Sequence, residues 1–71
     1  MLLVKVAPIG EAVHEVAPTV PCTVGEAIKL AGVEINGRTI LLDNARVEES
    51  DMIPEDGTHI IVLAVKGKSG K

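Results

Sequence analysis

Few residues of this 71-residue chain could do chemistry, and they are scattered. Gly67-Lys68-Ser69 has the ending of a phosphate-binding loop. Such a loop needs an upstream glycine at fixed spacing and a following helix whose N-terminus faces the phosphate. Here only Gly70 and Lys71 follow, so the segment is expected to be a tail. Cys22 precedes a helix start, where the macrodipole could lower a thiol pKa. A catalytic cysteine also needs a base, here His14 or His59, and a third orienting group. No signature joins these residues, and Cys22 is expected to be an inert, partly buried side chain. The two histidines lack the neighbouring ligands of a metal motif and are expected to be packing or surface residues. Glu48, Glu49 and Asp51 lack calcium-loop spacing and read as a solvated acidic loop, or else as a surface for a basic partner. No catalytic residue, metal site or cofactor is expected, and the chain does not read as an enzyme.

The elements around these residues are better signalled. Leu2 to Val6 reads as a strand with Leu2, Val4 and Val6 on one face, and Ala12 to Val16 returns as a hairpin. Pro18 and Pro21 each remove a backbone donor, which makes the next connection irregular. Thr23 is an N-cap with Glu26 three residues on, which is a capping box. Val24, Ala27, Ile28 and Ala31 share one helical face, and Gly32 supplies the stop. A helix this short must be held by packing against a sheet. Val33 and Ile35 read as a third strand, Asn36-Gly37 as its turn and Thr39 to Leu42 as the return. Asp43 to Gly57 reads as a long acidic loop anchored by Met52 and Ile53, with Pro54 to Gly57 as a turn. His59 to Val65 is the last strand.

Size and composition narrow the class. One domain with a small core is expected over residues 1–65, followed by a flexible C-terminal tail over 66–71. There is no Phe, Tyr or Trp, so the core must be aliphatic. The net charge of -3, without a basic patch or stacking aromatics, argues against nucleic acid as a partner. A single cysteine excludes an internal disulfide framework and suits a reducing compartment. No apolar run approaches the roughly 20 residues that span a bilayer. The expectation is a soluble, cytoplasmic protein without a membrane partner.

The simplest un-knotted arrangement of these elements puts the first and last strands side by side, parallel, at the centre. That is an α+β, β-grasp fold: a mixed sheet of four to five strands with one short helix on one face. Thr23-Val24-Gly25-Glu26-Ala27-Ile28, Val33-Glu34-Ile35-Asn36-Gly37-Arg38 and Pro54-Glu55-Asp56-Gly57 before Ile60-Ile61-Val62-Leu63 resemble the ubiquitin-like β-grasp proteins. They most resemble the small sulfur carriers of thiamin and molybdopterin biosynthesis. The resemblance covers nearly the whole chain. It implies an adenylating activating enzyme as partner and a C-terminal glycine as the reacting end. Lys66, Gly67 and Gly70 are the corresponding tail residues here, and no Gly-Gly pair is present. The resemblance therefore implies a sulfur-carrier-like protein acting through protein contacts. The alternative is a purely non-covalent binding module or a subunit of a larger complex.

The last strand adds one reading of its own. A sheet covered by a helix on one face alternates apolar and polar residues. Ile60 to Val65 does not alternate, so one apolar set must face away from the helix. Placing Ile60, Val62 and Ala64 under the helix leaves Ile61, Leu63 and Val65 outward as a partner-binding or self-association surface. The opposite phase exposes a similar set, and a loop folded over the face would cover it.

Overall fold

The computed structural model of the chain describes residues 1–35 and 37–64. They form a small α+β domain: β1 (Leu2–Pro8), β2 (His14–Val16), α1 (Val24–Leu30), β3 (Thr39–Leu42), β4 (Ala45–Val47) and β5 (Gly57–Ala64). The five strands make one mixed sheet in the order β2-β1-β5-β3-β4. β1 and β5 lie parallel at its centre, as expected, and every other pairing is antiparallel. Among the described residues no helix is long and apolar enough to cross a membrane.

The core is a single aliphatic layer between sheet and helix. Leu2, Val4 and Val6 of β1 lie in register with Gly57, His59 and Ile61 of β5. Ile61 and Leu63 bury their side chains beside them, with Ile40 from β3. Val24, Ala27 and Ile28 close the layer from the helix, and Ile53 fills it from the loop before β5. Burial of this kind is worth roughly 1.5–3 kcal/mol per large side chain, so this one layer holds the domain.

The helix ends follow their chemistry. The Glu26 N–H donates to Thr23 Oγ1 at 3.2 Å, and the Thr23 N–H donates to Glu26 Oε1 at 2.9 Å, completing the capping box. Gly32, at φ +77, ends the helix. Its N–H donates to the Lys29 carbonyl, and the Val33 N–H donates to the Ile28 carbonyl. This is a Schellman motif, in which an apolar residue past the glycine packs back on the helix. Val33 is consumed in that way and lies against the core, which is why Val33 to Ile35 does not form the third strand expected of it.

The second hairpin sits elsewhere than the turn dipeptide suggests. Asn36 lies outside the described residues, and the Arg38 N–H donates to the Ile35 carbonyl ahead of β3. The hairpin turn is Asp43-Asn44, with φ of +51 and +72. Two consecutive positive φ angles define the type I′ turn that matches strand twist, and Asp and Asn tolerate them. The turn joins β3 to β4, so the acidic segment expected to be all loop begins with a strand. Only half of its expected anchor holds: Ile53 is buried, whereas Met52 is exposed.

The rest of that segment packs on the helix N-terminus. The Val24 N–H donates to the Asp51 carbonyl and the Gly25 N–H to the Glu49 carbonyl, both at 2.9 Å. Ile53 N–H donates to the Cys22 carbonyl at 3.0 Å. Helix donors that would otherwise lack partners are thereby satisfied. A Cβ on Gly25 would lie 3.2 Å from both the Cβ and the carbonyl oxygen of Glu49. Gly25→Ala is therefore expected to lower stability by about 1 kcal/mol, against alanine's better helix propensity. Urea unfolding monitored by far-ultraviolet circular dichroism checks the sign.

Candidate functional site

The helix-free face of the sheet is built by the alternate residues of the same strands that make the core. On β1 these are Leu3, Lys5 and Ala7. On β5 they are Thr58, Ile60, Val62 and Ala64. Thr39 and Leu41 of β3, Glu15 of β2 and Arg46 of β4 complete the face. Register arranges them in rows: Glu15, Lys5 and Ile60 in one, Ala7, Val62, Leu41 and Arg46 in the next. The centre of the face is aliphatic, and Ile60 is 46% exposed there. Three charges flank the centre: Glu15 on the β2 edge, Lys5 beside it on β1, and Arg46 on the β4 edge. The loop from Glu48 to Ile53, which could have covered this face, is bonded to the helix on the other side.

The phase of β5 corrects the expected surface. Ile61 and Leu63 are 0% exposed and belong to the core. They face the helix because Val6 and Pro8, on the core phase of β1, are their register partners. A side chain without accessible surface cannot dock a partner. The outward set is Ile60, Val62 and Ala64, joined by Leu3, Ala7 and Leu41, which sequence reasoning did not single out. The signal for Leu3 and Ala7 was present in β1, where Lys5 marks their phase as the outer one. Val65, Lys66, Gly67 and Gly70 lie outside the described residues.

Of the other chemistry-bearing residues, Cys22 is 2% exposed, and its Sγ contacts the Thr23 carbonyl at 3.2 Å. Burial, then the charge of Glu26, push its thiol above the ordinary value, so it stays protonated and poorly nucleophilic. It borders a groove of about 600 Å³ with Pro18, Val20, Lys29 and Leu30. His14 is exposed on the edge strand β2. No group of three or more His, Cys, Asp or Glu is arranged to hold a metal ion among the described residues.

His59 has a defined structural task. Its Nδ1 lies 2.6 Å from Asp43 Oδ2 and its Nε2 lies 3.1 Å from the Asp56 carbonyl. Both partners are acceptors, so both ring nitrogens donate and the imidazolium is the form that fits. The Asp43 hydrogen bond, foremost, raises the His59 pKa above 6.5. The same bond, then one from the Ile60 N–H to Oδ1 at 3.0 Å, lowers that of Asp43 below 3.8. The pair ties the β3–β4 turn to β5.

No family model matches the chain, and no curated protein matches it.

Two expectations follow from this geometry. Ile61→Ser is expected to cost roughly 3–5 kcal/mol by emptying and polarising a core position, whereas Ile60→Ser leaves stability within about 0.5 kcal/mol. Thermal melts of the two variants check the phase of β5. The His59 contribution is fully present below pH 6.5 and is lost as pH rises through its raised pKa; that of Asp43 is present above pH 3.8 and lost as pH falls through its lowered one. Wild-type stability is thus expected to fall by about 1 kcal/mol or less between pH 6 and the alkaline side, given the exposure of Asp43. Asp43→Asn, which keeps the turn, should flatten that slope and return the His59 titration towards its ordinary value by NMR.

Proposed function

We propose that this chain is a ubiquitin-like, sulfur-carrier-like β-grasp protein that acts through contacts made on the helix-free face of its sheet. The single observation carrying the reading is that this face is aliphatic at its centre, where Ile60 sits, and uncovered by any of the described residues, while the loop able to cover it is held at the helix. The β-grasp description is supported by the sheet order with β1 and β5 parallel at its centre, and by α1 following the first hairpin and packing on one face. An apolar sheet face rimmed by charges suits recognition by another protein.

In this reading β5 leads into Lys66 to Lys71, and an adenylating activating enzyme engages the domain face and the following segment together. Gly67 and Gly70 are the candidate reacting positions once hydrolysis of the peptide bond that follows either one frees its carboxylate. The second reading is a non-covalent binding module or a subunit of a larger assembly. It is favoured by one specific observation, that the segment contains no Gly-Gly pair. Both readings use the same face and differ in whether a covalent bond forms.

Intact mass spectrometry after incubation with an adenylating activating enzyme and ATP separates them. An adenylate mass, formed from the terminal carboxylate and ATP with release of pyrophosphate, is expected for the carrier, with Ile60→Lys slowing its formation at least tenfold. An unchanged mass would leave the non-covalent module.

A further inference from the structure

The pattern of charge on the helix-free face selects one occupant. Glu15 lies on the β2 edge and Arg46 on the β4 edge, at opposite margins of an aliphatic strip made by Leu3, Ile60, Val62 and Leu41. Both are exposed, and neither forms an ion pair among the described residues. We infer that the face docks a second copy of this chain, as a two-fold dimer whose axis runs parallel to β5. The inference rests on the reading of this face as the interaction surface and names what it binds.

The symmetry argument is simple. A two-fold axis along the strands inverts the order of strands, so β2 of one copy lies over β4 of the other. Glu15 then faces Arg46 of the partner copy, and the contact occurs twice. A two-fold axis across the strands instead lays β2 over β2 and β4 over β4, which sets Glu15 against Glu15 and Arg46 against Arg46. Like-charge juxtaposition of this kind disfavours the second arrangement.

The distances allow the pairing. With neighbouring strands about 4.8 Å apart, each edge lies about 10 Å from β5. Arg46 is one row further along the sheet than Glu15, about 7 Å by strand rise. Across two sheets packed about 10 Å apart, the long Glu and Arg side chains can meet. Lys5, level with Glu15 on β1, is exposed on the same face. The face of five short strands spans roughly 20 Å in each direction. That is about half the area per partner of a standard interface, so the dimer is weak and concentration-dependent. The axis also points the C-terminal ends of both β5 strands the same way.

Sedimentation velocity on the full chain, from micromolar to millimolar, tests this. A shift from monomer to dimer is expected across that range. Ile60→Lys should abolish it, with the melting temperature confirming that the variant is folded. Glu15→Arg and Arg46→Glu should each raise the dissociation constant about tenfold. The double variant, which restores opposite charges with the signs exchanged, should recover to within a few-fold of the wild type. A chain monomeric at millimolar concentration overturns the proposal, and so does a double variant no tighter than the single ones. If the chain is monomeric while Ile60→Lys still slows its activation by an adenylating enzyme, the second-copy assignment falls and the face remains an interaction surface. If Ile60→Lys changes neither, both fall.

Discussion

The pairing of β1 with β5 is the interaction on which the rest of this structure depends. It joins the two ends of the described chain, and it brings together Val4, Val6, Ile61 and Leu63, all without solvent exposure. The other elements attach to this pair directly or, for β4, through β3. β2 and β3 hydrogen-bond to its two sides, and α1 covers one face. Parallel pairing between distant segments carries a high loop-closure cost, which the aliphatic layer must offset. A chain without aromatic residues has only that layer to do it with.

A one-sided core has a consequence for the surface. Among the described residues there is a single seven-residue helix, which covers only one sheet face. The acidic segment does not turn to the other, because its carbonyls meet the unpaired donors at the start of α1, and Gly25 admits the close approach. Backbone hydrogen-bond satisfaction thus decides where the loop goes. The outer face is left aliphatic in the middle and charged at its margins, the physical basis of the proposed role in recognition.

The polar clusters play supporting parts. The Asp43–His59 pair fastens the second hairpin turn to the central strand, with Asp43 also bonding the backbone of Ile60 on both sides. Asp56 contributes its carbonyl to His59 and its carboxylate to the N-terminal ammonium. These contacts are short in range but join segments far apart in sequence. They hold the strand that carries Ile60 in place.

Much of this was legible in the residues. The capping box, the Gly32 stop, the apolar stripe of α1 and the alternation of β1 are local patterns, and local hydrogen bonding and period express them directly. The central parallel pair followed from the order of elements. Three features were not legible, each for a physical reason. The chain does turn ahead of β3, with the Arg38 N–H on the Ile35 carbonyl and Gly37 at positive φ, but no hairpin forms there because Val33 is taken by the helix cap and β3 pairs onward to β4. The path of the acidic segment depends on helix donors that no local pattern reveals. The phase of β5 is silent in a run of five aliphatic residues, because either face would satisfy the pattern. Sequence alone determined that one aliphatic set of β5 must face away from the helix. Only tertiary pairing decided which, since register with Val6 and Pro8 of β1 turns Ile61 and Leu63 inward and leaves Ile60 in solvent.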